Sequence, residues 1–311
     1  MQGSPAVGHE IAAPQALRST RGRGAHLRRG IARFISHQPL GSVAAVVLII
    51  LIVVAILAPV IAPYGELDSD RVPGKGIAML EGPSGRHWLG TDEAGRDIFS
   101  RILIGARVSV AIGFIAVGVG TTIGSLVGII SAFFGGKVDM TIQRIADGIM
   151  AFPGLVFLLF MVSVLGGASF MKIFMAIAVL FIPGTNRVIR SAVLSVRNYA
   201  FVEAATCIGA GNLRILARHI VPNVAPIIII MASIQIGGAI LLDASLGFLG
   251  LGAIHPKATW GTMLSSQGRR YMEQQVWMAL APGLAISLVV FSFNMFGDAL
   301  RDVLDPRLRG T

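Results

Sequence analysis

The sequence is poor in cysteine, in charge and in catalytic signatures. It has one cysteine, Cys207, so no disulfide can form within the chain. Charged residues make up 14%, against roughly 25% in a soluble domain, which excludes an ordinary water-soluble fold. No G-x-x-x-x-G-K-[ST], G-x-S-x-G, H-E-x-x-H or C-x-x-C stretch occurs. Gly136-Lys137 is followed by Val138 and has no glycine at the P-loop spacing upstream. The chain therefore has no loop of its own to cradle ATP phosphates, no serine-hydrolase elbow and no zincin site. Three acids lie close together at Asp92, Glu93 and Asp97, but the EF-hand spacing is missing, and no metal is expected.

What is present is apolar sequence: 54% hydrophobic residues and a mean hydropathy of +0.75. The net charge of +10 does not point to nucleic acid, because the basic residues are dispersed between apolar runs without interleaved aromatics. The first run, 41–63, carries no charge and is too long for the core of a secretory signal. Further runs cover 108–136, 148–171, 173–186, 220–242 and 274–297. All but 173–186 are long enough to cross about 30 Å of hydrocarbon as helices. That run is short and contains Pro183, yet its flanking Lys172 and Arg187 can snorkel, and its neighbours need a crossing there to keep their sidedness.

The expectation is an all-α membrane protein with six transmembrane helices. Residues 1–38 form an Arg-rich tail with a short surface helix at 28–34, and 39–311 form the transmembrane domain. Six spans put both termini on one side. Sixteen Lys and Arg lie on that side and ten on the other, which assigns the termini to the cytoplasm. Segment 64–107 then lies outside, with Thr91 or Asp92 as the cap of the helix entering the second span. Loop 198–222 lies inside, where Cys207 stays reduced and reads as a small apolar filler.

That inner loop reads as a helix-turn-helix. Residues 200–208 have helical composition with Glu203 in the first turn, where an acid is favoured. Gly209 and Gly211 break the helix, and 213–220 can form a second short helix before Pro222. Ala204, Ala205 and Gly209 are small residues at the spacing of one helical face, open to close approach by another protein. The competing reading is a helix lying on the bilayer surface. A second cytoplasmic turn holds Asp139, Arg144 and Asp147 before Phe152-Pro153, with Arg144 and Asp147 spaced to pair along a helix. Asp243 is the one acid inside an apolar run. It reads either as lining or gating a pathway, since ionisable groups at membrane depth are costly, or as an interfacial cap for 245–249.

Glu203-Ala204-Ala205, then Gly209, then His219-Ile220-Val221-Pro222 resembles the EAA loop of ABC importer permeases, in the variant of the dipeptide and oligopeptide permeases. His87-Trp88-Leu89-Gly90-Thr91-Asp92 followed by Gly95-Arg96-Asp97, Ser100-Arg101 and Gly105-Ala106-Arg107 resembles the HxLGTDxxGRDxxSRxxxGAR signature of the same family. Asp243, the segment from Trp260 to Leu264 and the C-terminal stretch from Leu304 to Gly310 are also family-like, although the family usually has Glu where this chain has Asp243.

The resemblance implies a type I ABC importer permease fold in the inner membrane of a bacterium, without catalysis by this chain. It implies that Glu203, Ala204, Ala205, Gly209 and Pro222 couple to an ATPase. It further implies that Thr91, Asp92, Gly95, Arg96, Asp97 and Asp243 serve the external interface or the translocation path. The partners implied are a second homologous permease subunit, two ATP-binding subunits that use ATP and Mg, an extracytoplasmic binding protein, the lipid membrane and a peptide substrate. Nickel or glutathione remains open as cargo. An ion-coupled secondary transporter remains a second class; it calls for paired intramembrane acids or inverted repeats, whereas only Asp243 and no repeat are found.

Overall fold

The computed structural model describes residues 38–72, 76–252, 258–265 and 270–304. The Arg-rich tail, its expected helix at 28–34 and nearly all of the C-terminal motif lie outside the described residues. The chain divides into Met1–Pro39 and Leu40–Thr311, and the second unit holds the helical bundle.

Helix α1, Pro39–Ile61, is an uncharged 23-residue helix with one large hydrophobic after another exposed, as lipid contact requires. A two-residue antiparallel pair, β1 (Arg71–Val72) with β2 (Gly76–Ile77), lies in the segment that follows. Helix α2, Ile98–Phe134, is 37 residues long, about 55 Å at 1.5 Å per residue. It begins ten residues before the apolar run, and its cap is Asp97 rather than Thr91 or Asp92. Asp97 is extended and its carboxylate accepts from the Ser100 N–H, the geometry an N-cap needs.

The third run is not one helix. Amphipathic α3, Gly136–Met150, meets α4, Gly154–Val164, at a 94° bend. Pro153 offers no N–H, and its ring biases Phe152 away from helical geometry, so the bend falls at 151–153. Alone, α4 has 11 residues, about 16 Å, and crosses a bilayer only in combination with α3.

The short fourth run lies within a 28-residue helix, α5, Phe170–Arg197, with Pro183 inside it. Its charges do not end the helix, because arginine is a good helix former, and two of them are paired. Arg190 is bidentate to Asp139 at 2.6 Å for both contacts, and Arg187 meets Asp147 at 2.6 Å. Asp147 thus pairs across to α5, not along α3 with Arg144.

Helix α6, Ala200–Cys207, precedes α7, Asn212–Ile215. The second arm of the helix-turn-helix is not separate. Helix α7 continues through a π-helical turn, Leu216–Ile220, into α8, Val221–Leu246, and a second π turn, Gly247–Leu251. Together they make a helix of 40 residues, Asn212–Leu251. The first π turn has a local cause: Pro222 has no N–H and its ring crowds the carbonyl four residues back, and the Val221 N–H reaches Leu216, five residues back. Short α9, Trp260–Met263, and long α10, Trp277–Leu304, complete the bundle. Among the described residues, five helices have the length and composition to cross a membrane, or six if the bent pair is one span.

The core lies where α2, α5, α8 and α10 meet, and includes Ile112, Val117, Ile177, Ile240 and Val289. Three glycines let α2 and α5 touch at backbone distance. A Cβ on Gly120 would stand 2.7 Å from the Ala178 carbonyl oxygen, on Gly124 2.9 Å from that of Ile182, and on Gly128 2.7 Å from that of Asn186. Beside them, Thr121 donates to the Gln235 side chain, whose amide donates to Thr185, both at 3.0 Å, tying α2, α8 and α5 together.

Candidate functional site

The expected site residues fall into two clusters at opposite ends of α2, with Asp243 apart from both.

At the Phe134 end, α6 packs through Val202 and Ala205 onto Ile129, Val193, Ile215 and Ile220. Ala205 is therefore turned inward, while Glu203, Ala204 and Gly209 remain exposed. Glu203 sits in the first turn of α6 as expected. The helix ends in a Schellman turn: the Ala210 N–H reaches the Ala205 carbonyl and the Gly209 N–H that of Thr206, each at 3.0 Å. Gly209 has φ +80°, a conformation side chains disfavour, and the space beyond its missing Cβ is open. The turn is thus closed by its own hydrogen bonds and projects free of the rest of the chain. On one side of α6 a cleft is lined by Phe133, Phe134, Arg197, Glu203 and Thr206. Arg197 fixes its floor by donating to the carbonyls of Ala132 and Phe133 at 3.4 and 3.2 Å. Pro222 is exposed at the start of α8.

At the Ile98 end, Thr91, Asp92, Arg96 and Asp97 are brought together but buried, each at most 6% exposed. These side chains are expected on an external surface; the structure encloses them. Asp92 accepts from the N–H groups of Ala94 and Arg96 at 2.8 and 2.9 Å, and from Arg96 Nε at 2.7 Å. Arg101 adds a contact to it at 3.5 Å, and Arg96 also reaches Glu93 at 3.0 Å. Thr91 donates to the Ala78 carbonyl at 2.6 Å and accepts from the Glu81 N–H at 2.9 Å. Gly95 packs against Ile77, where a Cβ would come within 2.5 Å.

The centre of this network is a residue to which the sequence reading gave no role. His87, 1% exposed, has Nδ1 2.9 Å from Asp97 and Nε2 3.2 Å from Asp70. Asp97 accepts in addition from the N–H and hydroxyl of Ser100, both at 2.7 Å. The signal available in the sequence was the fixed spacing of His87 to Asp97 inside the signature. Asp70 carries no such signal.

Asp243 lies inside α8, 1% exposed, and neither carboxylate oxygen has a hydrogen-bond partner. It does not cap 245–249, because the helix runs on through it. Ser109 of α2 faces it. Ser109 also accepts from the Trp260 N–H at 3.3 Å, so α9 closes over this position. Among the described residues no cluster of potential metal ligands occurs.

Residues 124–310 match the family described as binding-protein-dependent transport system inner membrane component. Residues 27–73 match the N-terminal TM domain of oligopeptide transport permease C. The probable D,D-dipeptide transport system permease DdpC of Escherichia coli is 38% identical over 98% of both chains. The dipeptide permease DppC of Alkalihalophilus pseudofirmus is 42% identical over 88% of both. The glutathione permease GsiD of Escherichia coli is 41% identical over 89% of this chain and 90% of its own. In structure, the chain is similar to one in an inward-facing methionine ABC transporter, MetNI, with TM-score 0.55 and 19% identity, over 66% of this chain and 97% of the other. The fold is that of a type I ABC importer permease, and the chain belongs to the family of binding-protein-dependent transport system inner membrane components.

Proposed function

We propose that this chain is one of two permease subunits of a bacterial importer for short peptides, working with two ATPase subunits and an extracytoplasmic binding protein. Family membership supplies the permease role and sets the ion-coupled reading aside. The observation that carries the coupling assignment is the Gly209 turn: closed by its own hydrogen bonds, open to approach, and flanked by an exposed Glu203. The positive-inside bias supports a cytoplasmic location for that turn and for both termini. ATP and Mg then belong to the partner, and this chain performs no chemistry.

The coupling step follows from thermodynamics. An ATPase dimer that closes on ATP shifts a permease only through a contact whose free energy differs between its two global states. The Gly209 turn is placed to be that contact. On the opposite side, the saturated network around His87 holds the start of α2 and supports the surface that receives the loaded binding protein. The relatives' names cover D,D-dipeptide, dipeptide and glutathione transport, and each cargo is a short peptide. This favours peptide over nickel and leaves peptide length open. The test is the ligand retained by the cognate binding protein on purification, paired with uptake by the assembled complex. A bound metal ion without peptide would overturn the substrate class and leave the permease role intact.

A further inference from the structure

Helix α3 uses its acids within the bundle and leaves its bases open. Asp139 takes Arg190 and Asp147 takes Arg187, both at 2.6 Å. Ser131 of α2 donates to Asp139 and accepts from Gln143, so the same side of α3 is tied to α2 as well. Lys137 and Arg144 are exposed, about two turns apart on one face, and make no salt bridge among the described residues. A third side carries Val138, Ile142, Ile145 and Ile149, with Val138 47% exposed and Ile145 62%. Two measures give the attitude of this helix. Asp139 and Asp147 lie about 12 Å apart along α3, whereas Arg187 and Arg190 lie about 4.5 Å apart along α5. Helix α3 therefore crosses α5 and does not run beside it. It also meets α4 at 94°. The crossing falls where the uncharged run 173–186 of α5 ends, the level at which a span meets the headgroups.

We propose that α3 lies flat in the membrane interface and binds anionic phospholipid. Val138 and Ile145 enter the acyl chains, and Lys137 and Arg144 meet headgroup phosphates at the edge of that side. An exposed apolar side next to a basic one is the pattern of helices that lie in a bilayer surface. A protein partner covering Ile145 has no such need of two unpaired cations beside it. The position agrees, because α3 joins the end of one apolar helix, α2, to the start of another, α4. An interfacial helix sinks by roughly 5–10 Å. Helix α4 then starts below the headgroups, and its 11 residues have less hydrocarbon to cross. The ion pairs to Arg187 and Arg190 hold the third side of α3 against the bundle, so the helix cannot roll its bases away from the lipid.

The test uses the full chain assembled with its permease and ATPase partners in nanodiscs of phosphatidylcholine and phosphatidylglycerol. A spin label is attached to Ile145→Cys in a chain carrying Cys207→Ser. Its collisions with oxygen, which dissolves in acyl chains, are compared with its collisions with a water-soluble nickel chelate. Oxygen access without chelate access is the expected result. Chelate access puts that side in water, and shielding from both puts it under a protein partner; either overturns the proposal. The charge is read separately, as phosphatidylglycerol retained by the complex in native mass spectrometry. Lys137→Gln and Arg144→Gln are expected to lower retention about fivefold each. Lys137→Arg/Arg144→Lys keeps the charge and is expected to keep the lipid, which separates charge from folding. Unchanged retention in Lys137→Gln/Arg144→Gln overturns the headgroup contact. ATPase co-purification is expected to be the same in all these variants, so the proposal stands or falls apart from the coupling role of Gly209.

Discussion

The two ends of α2 solve the same problem in opposite ways. Both must place polar and charged groups just beyond an apolar bundle. At the Ile98 end the groups are buried and satisfied within the chain: His87 between two carboxylates, Asp92 with three donors in place, Asp97 shared by His87 and Ser100. At the Phe134 end, Glu203, Arg214 and Arg218 are exposed and make no salt bridge among the described residues, with Ile208 and Leu213 bare beside them. An end that is complete in isolation is a support. An end that leaves apolar and charged surface open is what the proposed ATPase contact calls for. Burial of polar groups, normally a stability matter, here separates an end satisfied within the chain from an end left open.

The strongest way to break this comparison is Gly209→Leu. The side chain is forced into a disfavoured conformation but meets nothing within the chain. Membrane insertion and permease pairing are expected to remain normal, while ATPase co-purification and substrate uptake are lost; normal uptake by a well-expressed variant would remove the coupling assignment. At the other end, Asp97→Ala removes the cap of α2 and strips His87 and Ser100 of an acceptor. Thermal unfolding should show a loss of about 2–4 kcal/mol, with weaker pull-down of the loaded binding protein and unchanged ATPase docking. If ATPase docking fails instead, the sidedness is wrong. Glu203→Arg reverses a helix-dipole interaction worth roughly 0.3–1 kcal/mol and should reduce ATPase retention more than it reduces stability. The smallest effect belongs to Asp147→Asn. Its ion pair with Arg187 is half exposed on both sides, so a change below about 1 kcal/mol is expected in the same unfolding measurement.

How much of this could be read from the sequence depended on how local each cause is. The helix stop at Gly209 was legible because one residue type at one position determines it. The break at Phe152-Pro153 is equally local, but counting uncharged residues passes over it and draws one span, 148–171, from the last turn of α3 through α4 to the start of α5. The fourth helix was underestimated for the opposite reason. Arg187 and Arg190 end an apolar run but not a helix, since arginine is a good helix former, and their partners Asp147 and Asp139 lie some forty to fifty residues away. The Thr91–Asp97 motif was visible as a pattern, but its burial was not. The groups that enclose it, Asp70, Ala78 and Glu81 among them, come from parts of the chain with no shared periodicity. Likewise Asp243 was visible as an acid in an apolar run, whereas its enclosure rests on α9 closing over Ser109.

The glycine contacts between α2 and α5 bear on how the chain moves. Backbones that touch at three successive turns, Gly120 to Gly128, have no side-chain layer in which to slide there, so the two helices are expected to tilt together. With an arm of about 55 Å, a tilt of about 5° pivoted at one end carries the other by about 5 Å. A tilt passed to this pair at its Phe134 end would arrive near His87 as a displacement the size of an amino-acid side chain. On the proposed coupling role, a stiff helix pair would link the two ends without a flexible wire.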